Sequence, residues 1–128
     1  MNEKRAKKKI AIVEDGEAFR LIFRDLLESQ GFEVLEAEDG KKGWELIRNT
    51  ELDLVLLDLM LPGMNGFQVL AKMQEFEATR VIPVIVVTAL EDESFSQKAL
   101  ELGASECLVK GTVTPDQITD KIRQILSR

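Results

Sequence analysis

Three features are scarce in this sequence of 128 residues: cysteine, long apolar runs and clustered positive charge. The single cysteine, Cys107, cannot form an internal disulfide, which is typical of a protein in a reducing, cytoplasmic setting. No apolar stretch approaches the length that a helix needs to cross a bilayer. The sequence therefore predicts a cytoplasmic protein that makes no membrane contact.

Positive charge is concentrated only at the amino-terminal end. The net charge is −6 and the acidic residues are spread along the chain, which argues against direct nucleic-acid binding. Five basic residues fall within the first nine positions, where we expect a solvated, mobile tail over residues 1–8. Glu14 and Asp15 follow too soon for this run to begin a secretory signal.

The sequence does contain short apolar runs that alternate five times with segments of helical period. This alternation is typical of βαβ units around a parallel sheet, and the length suits one domain. We therefore predict one α/β domain over residues 9–128, with five strands and five helices. The predicted strands are Lys9–Val13, Glu33–Ala37, Leu54–Leu57, Val84–Val87 and Glu106–Val109.

Several predicted helices have recognisable ends. Gly31 is a C′-type glycine after the first helix, and Asn65 is a candidate N-cap for the third. Thr114 is a candidate N-cap for the last helix, with Pro115 at the first helical position, where a missing N–H is tolerated.

Four predicted strands lead directly into polar side chains. Glu14 and Asp15 follow the first strand, Asp58 the third, Thr88 the fourth and Lys110 the fifth. Because ligands bind outside the carboxyl ends of strands in an open parallel sheet, these side chains should share one crevice. Clustered carboxylates raise each other's pKa unless a cation joins them, and a hard dication such as Mg²⁺ suits oxygen ligands.

Asp58 is the candidate reactive group, because an ionised aspartate can accept a phosphoryl group as an acyl phosphate. The hydroxyl of Thr88 could donate to a phosphoryl oxygen, and the ammonium of Lys110 could pair with Asp58. Each residue also has an ordinary explanation: a strand-end acid forms turns, an acid near a helix start favours the dipole, and threonine suits any strand.

Taken together, five segments of the chain resemble a response-regulator receiver domain of two-component signalling. The segments are Ile-Val-Glu-Asp (12–15), Asp-Leu-Val-Leu-Leu-Asp-Leu-Met-Leu-Pro-Gly-Met-Asn-Gly (53–66), Val-Ile-Val-Val-Thr-Ala (84–89), Leu-Gly-Ala (102–104) and Val-Lys (109–110). The resemblance implies a flavodoxin-like, doubly wound sheet of order 2-1-3-4-5. It also implies Mg²⁺-dependent phosphotransfer from the phosphohistidine of a sensor histidine kinase, or from a phosphotransfer protein, to Asp58.

By the same resemblance, Glu14, Asp15, Asp58 and the main-chain carbonyl of Met60 would bind the metal. Thr88 and Lys110 would act on the phosphoryl group, and phosphorylation would switch binding of an effector domain or a downstream protein. The domain would be a phosphoacceptor switch and not a turnover enzyme. The cognate kinase, the output and any dimerisation are left open by the sequence.

Two positions depart from the usual receiver pattern. Gly111 replaces the proline that usually follows the lysine in a cis peptide, so we expect a trans Lys110–Gly111 bond or a rearranged loop. Cys107 replaces a switching aromatic residue, which predicts that coupling to the surface of the fourth helix and fifth strand is weaker or travels by backbone movement. Met60 and Leu90, which flank the site, are apolar and cannot orient a hydrolytic water, which predicts slow self-dephosphorylation.

Three other functions remain open alternatives. A phosphatase of the haloacid dehalogenase type would need an acid two residues after the nucleophile, where this chain has Met60. A nucleotide- or flavin-binding module would need a glycine-rich turn after the first strand, but Glu14-Asp15-Gly16-Glu17 would repel phosphates. A receiver that serves only as a docking surface is disfavoured because all phosphoacceptor residues are present.

Overall fold

Five apolar runs form the strands of one parallel sheet in the computed structural model, which describes residues 7–128. The strand order is β2-β1-β3-β4-β5, as predicted. The strands are β1 (Lys9–Val13), β2 (Glu33–Ala37), β3 (Leu54–Leu57), β4 (Val84–Thr88) and β5 (Glu106–Val109). The helices are α1 (Glu17–Ser29), α2 (Gly40–Asn49), α3 (Gly66–Gln74), α4 (Glu77–Arg80), α5 (Glu93–Glu101) and α6 (Pro115–Leu126).

Helices cover both faces of this sheet, which gives a flavodoxin-like, doubly wound α/β fold. One face of β1, β3 and β4 packs against α1 and α6. The other face packs against α2, α3 and α5. Residues alternate between the two cores along each strand; in β3, Leu56 faces α1 and α6 whereas Leu57 faces the opposite core. The unbroken apolar character of the central strands follows from this double coverage.

The structure has six helices within the described residues, one more than the sequence predicted. The additional helix, α4, is a single turn between α3 and β4. The buried hydroxyl of Thr79 stabilises this turn by donating to the main-chain carbonyl of Met73 at 2.8 Å. Four residues are too few to display a helical period, so the turn could not be recognised from apolar spacing.

The strand bounds agree with the prediction except that β4 includes Thr88. β5 lies at the edge of the sheet, as the predicted order implies, and its four residues are all half-buried. Its apolar run Cys107–Val109 is typical of a strand that helices cover on both faces, so this degree of exposure does not follow from the run itself.

The predicted helix ends are confirmed. Asn65 and Thr114 each form a capping box, with Gln68 and Gln117 respectively. Gly31 has a φ of 94°, the left-handed conformation that a C′ glycine adopts at low cost.

Most of the predicted mobile tail at residues 1–8 lies outside the described residues, so it remains a prediction. Lys7 and Lys8 are exposed and precede β1. Within residues 7–128, none of the helices has the length and apolar character that crossing a bilayer requires.

Candidate functional site

Main-chain hydrogen bonds continue past the strand ends and fix the backbone that carries the acidic residues. The amide of Asp58 donates to the carbonyl of Val13, and the amide of Glu14 donates to the carbonyl of Ala37, both at 3.0 Å. On the other side of the sheet, the amide of Lys110 donates to the carbonyl of Thr88 at 2.7 Å. The side chains at this edge therefore project from a continuous backbone scaffold.

The ammonium of Lys110 lies between two buried carboxylates. Its Nζ is 2.8 Å from Oε1 of Glu14 and 3.4 Å from Oδ2 of Asp58. Glu14 is 3% exposed and Asp58 is 5% exposed, so both are largely removed from water. The sequence predicts that Lys110 pairs with Asp58, and the structure adds Glu14 at the shorter distance.

Three carboxylates converge at the same point. One oxygen from each of Glu14, Asp15 and Asp58 lies within 4.8 Å of the others, and Asp15 is the exposed member. The amide of Gly16 donates to Oε2 of Glu14 at 2.9 Å, which orients that carboxylate. The structure thus brings together all of the predicted acidic residues.

The charges in this crevice favour the binding of cations. Burial raises the pKa of Glu14; hydrogen bonds from Lys110 and the Gly16 amide oppose this rise, and the negative charge of Asp58 adds to it. Burial alone would lower the pKa of Lys110, but its interactions with Glu14 and Asp58 outweigh burial and raise it. Lys110 therefore stays protonated. Its single positive charge does not balance the three carboxylates.

The donor set fits a hard divalent cation. Carboxylate oxygens are preferred ligands of Mg²⁺, which also retains several waters, and the exposed Asp15 leaves one side of the cluster open to solvent. Met60 adjoins the cluster, and its amide donates to Oδ1 of Asp58 at 3.2 Å. Its carbonyl as a ligand remains a prediction.

Thr88 lies at the end of the neighbouring strand. Leu57 is in register with Val86, so Asp58 is level with Val87. Thr88 therefore lies one residue beyond Asp58 in the direction of the strands. The side chain is fully buried, and its Oγ1 accepts a hydrogen bond from the amide of Leu90 at 3.2 Å. That bond leaves the hydroxyl proton of Thr88 available to an oxygen in the crevice.

The loop after Asp58 needs a glycine where α3 begins. A Cβ on Gly66 would lie 2.3 Å from the carbonyl oxygen of Asp58 and 2.6 Å from Cα of Leu59. The amide of Gly66 also donates to the carbonyl of Leu59 at 2.9 Å. Gly66 therefore allows α3 to begin directly against the loop that carries Asp58.

Arg20 is a site residue that sequence reasoning missed. Its Nη1 donates to the carbonyl of Glu14 at 2.9 Å and to that of Asp15 at 3.3 Å, while Nε contacts Glu36 at 3.3 Å. The guanidinium thus ties β2 to the turn that carries two of the three acids. Because two of the partners of Arg20 are main-chain carbonyls, no pattern of side chains in the sequence indicates this role.

The two departures from the receiver pattern, Cys107 and Gly111, lie in β5 and just after it. No cis peptide bond occurs within residues 7–128, so the Lys110–Gly111 bond is trans, as predicted. Gly111 has a φ of 88°, a conformation that suits glycine. Cys107 is half-buried, and burial raises the pKa of its thiol although a hydrogen bond with Ser96 opposes the shift. The thiol is therefore mostly protonated near neutral pH, which agrees with an unreactive cysteine.

Comparison with known proteins supports the same class of protein. Residues 10–123 match the family model of the response regulator receiver domain. A CheY-like response regulator receiver domain protein from Methanospirillum hungatei JF-1 superposes with a TM-score of 0.88 at 30% identity, covering 95% of each chain. The chain belongs to the response regulator receiver domain family.

Two curated relatives are longer than this chain. The probable transcriptional regulator ycf27 of Porphyridium aerugineum is 34% identical over 122 residues, which are 95% of this chain and 49% of the relative. The transcriptional regulatory protein SrrA of Staphylococcus aureus strain NCTC 8325 / PS 47 is 34% identical over 119 residues, 93% of this chain and 48% of the relative. The chain thus spans about half the length of these relatives.

Proposed function

We propose that Asp58 is the phosphoacceptor of this receiver domain. The observation that carries the proposal is the buried Asp58 carboxylate, which has the Lys110 ammonium 3.4 Å away and the acids Glu14 and Asp15 beside it. In the proposed reaction an Asp58 oxygen forms a bond to phosphorus as the P–N bond of a phosphohistidine breaks. The leaving imidazole retains the bonding electrons and takes up a proton.

The surrounding residues have separate tasks in this proposal. Lys110 orients the Asp58 carboxylate before transfer and pairs with the phosphoryl oxygens afterwards. Thr88 donates its hydroxyl proton to one of those oxygens. Glu14, Asp15, Asp58 and the carbonyl of Met60 would hold Mg²⁺, which when bound would supply positive charge that neutralises the oxygens of the transferred group.

We assign the domain to signalling and not to catalytic turnover. Met60 follows Asp58 by two residues and has neither an acidic nor a basic group, and its side chain is 55% exposed. Leu90 is apolar and half-buried. Neither side chain can orient a water for attack on phosphorus, so the acyl phosphate should be lost slowly.

The proposed partners are a sensor histidine kinase or a phosphotransfer protein as donor, and an effector domain or downstream protein as output. Two relatives of about twice this length are described as transcriptional regulators. This supports an output in gene regulation carried by another domain or protein. The net charge of −6 argues against direct nucleic-acid binding by this domain.

Phosphorylation by acetyl phosphate, read by intact mass, tests the proposal. The protein should gain the mass of one phosphoryl group in the presence of Mg²⁺ and none in the presence of EDTA. Asp58→Asn should abolish the gain. Asp53→Asn is a matched control, because Asp53 lies just before the same strand at the opposite edge of the sheet, where it accepts a hydrogen bond from the Lys9 amide.

The control variant should be phosphorylated as fast as the wild type. Uptake of phosphate by Asp58→Asn at the wild-type rate would contradict the assignment, and so would uptake that is indifferent to Mg²⁺.

A further inference from the structure

The aromatic ring of Phe19 lies against the ammonium of Lys110. The Nζ of Lys110 is 4.5 Å from the ring centroid, well within the distance at which a cation interacts with an aromatic face. Phe19 is in the first turn of α1, and the same ammonium contacts the carboxylates of Glu14 and Asp58. The ammonium is therefore held by two acids and one ring.

The ring is itself fixed by the protein core. Phe19 stacks on Phe23, one helical turn later, with centroids 4.4 Å apart and ring planes inclined by 28°. Phe23 is 3% exposed and packs among the apolar residues of β1, β3 and α6. Phe19 is also partly buried against that core, so it forms a packed platform for the lysine.

The platform matters because Lys110 has two competing partners. Its ammonium is nearer to Glu14, at 2.8 Å, than to Asp58, at 3.4 Å. An aromatic face attracts the ammonium without occupying one of its three N–H donors with a strong acceptor. The ring thus restrains Nζ while a donor remains free for the oxygens at Asp58.

We propose that Phe19 is a positioning residue that holds the Lys110 ammonium beside Asp58 and thereby speeds phosphorylation of that carboxylate. The inference rests on the proposed function of Asp58 and deepens it. An aliphatic side chain would fill the same space but would lack the negative face of the ring.

The first test compares initial rates of phosphorylation by acetyl phosphate at saturating Mg²⁺. Phe19→Leu should slow the reaction by about threefold to tenfold, the effect expected for loss of a partly desolvated cation–π contact. Phe19→Tyr should keep the wild-type rate. Phe67→Leu is the matched control, because Lys98 Nζ also lies 4.5 Å from the Phe67 ring centroid. Within residues 7–128, the structure shows no contact of Lys98 with Asp58, so the Phe67→Leu variant should be phosphorylated at the wild-type rate.

A second series separates the charge of the ring face from its shape. Phenylalanine analogues with increasing ring fluorination at position 19 keep the packing but weaken the attraction for cations. The rate should fall stepwise with fluorination, and in a Lys110→Met background neither fluorination nor Phe19→Leu should have a further effect. A rate independent of fluorination, or equal losses in Phe19→Leu and Phe67→Leu, would overturn the proposal.

NMR of the Lys110 side chain provides a readout that does not depend on phosphorylation. The protons next to Nζ should be shifted upfield by the Phe19 ring in the wild type and should lose that shift in Phe19→Leu. Absence of the upfield shift in the wild type would overturn the positioning role. If the shift is present and the wild type takes up no phosphoryl group, the proposed function of Asp58 fails while the positioning of Lys110 stands.

Discussion

The inner strands β1 and β3 differ from the edge strand β5 in burial and in how closely they follow the receiver pattern. The inner strands are almost completely buried and lead into the acids Glu14 and Asp58. The edge strand is half-buried throughout and carries Cys107, with Gly111 just beyond Lys110. The proposed phosphoacceptor thus follows a fully buried strand, whereas both departures from the receiver pattern lie in or just after a strand that packs less tightly.

This difference separates the chemistry of the domain from its response. Carboxylates that share a cation need fixed positions, and buried strands with helices on both faces supply them. A surface that changes on phosphorylation is drawn from less stable parts of a fold. We therefore expect substitutions in β1 and β3 to affect stability and phosphorylation, and substitutions in β5 to affect chiefly the response.

The largest expected effect is on stability. Leu56 is 1% exposed in the centre of β3, and Leu56→Ala should lower the free energy of unfolding by about 3 kcal/mol, through lost burial and a residual cavity. Leu108→Ala in half-buried β5 should cost about 1 kcal/mol. Urea unfolding followed by circular dichroism measures both. Equal losses would contradict the proposed contrast between the inner strands and the edge strand β5.

The next effect concerns Arg20, which holds the turn of the acidic pair. Arg20→Met keeps the length of the side chain but removes its hydrogen bonds to the carbonyls of Glu14 and Asp15, so Mg²⁺ affinity should fall roughly tenfold. Calorimetric titration with Mg²⁺ measures this change. Arg24→Met is the control, because Arg24 also contacts Glu36, at 3.0 Å. This variant should bind Mg²⁺ with the wild-type affinity. The same affinity in both variants would contradict the role of Arg20.

A smaller effect is expected on the lifetime of the acyl phosphate. Met60→Asn supplies an amide that can orient water near phosphorus, so self-dephosphorylation should become several-fold faster. Met60→Leu preserves the apolar character and should leave the lifetime unchanged. The decay is followed by intact mass after the phosphodonor is removed. An unchanged lifetime in Met60→Asn would remove the explanation for slow hydrolysis.

The smallest effect is expected at Cys107. With beryllium trifluoride as a phosphoryl mimic, amide NMR shifts should change most near Glu14 and Asp58 and much less in β5, because a cysteine has no ring to reorient. Cys107→Tyr should enlarge the β5 response. A large rearrangement confined to the side chain of residue 107 in the wild type would refute weak coupling through this position.

Most of the fold could be predicted because its signals are local and mutually consistent. The strands are short apolar runs with clear limits, and caps such as Asn65 and Thr114 act through residues three positions away. The single turn α4 was missed because four residues show no period. The half-burial of β5 was missed because its apolar run Cys107–Val109 is typical of a strand covered on both faces, although the predicted order already placed β5 at the edge of the sheet.

The candidate site was predictable to a similar degree. Strand-end side chains meet at one sheet edge in this topology, so Glu14, Asp15, Asp58 and Lys110 could be brought together from sequence. The contacts that α1 makes with this site could not be predicted from the sequence. Arg20 binds main-chain carbonyls, and the position of Phe19 over Lys110 depends on helix packing between residues far apart in the chain.

The most direct test of the account identifies the residue that carries phosphorus. The protein is treated with acetyl phosphate and Mg²⁺ and then reduced with borohydride, which converts an aspartyl phosphate to homoserine, and the modified peptide is sequenced by mass spectrometry. We expect homoserine at position 58 and nowhere else. Homoserine at position 15 or 53, or none in a protein that has gained phosphoryl mass, would contradict it.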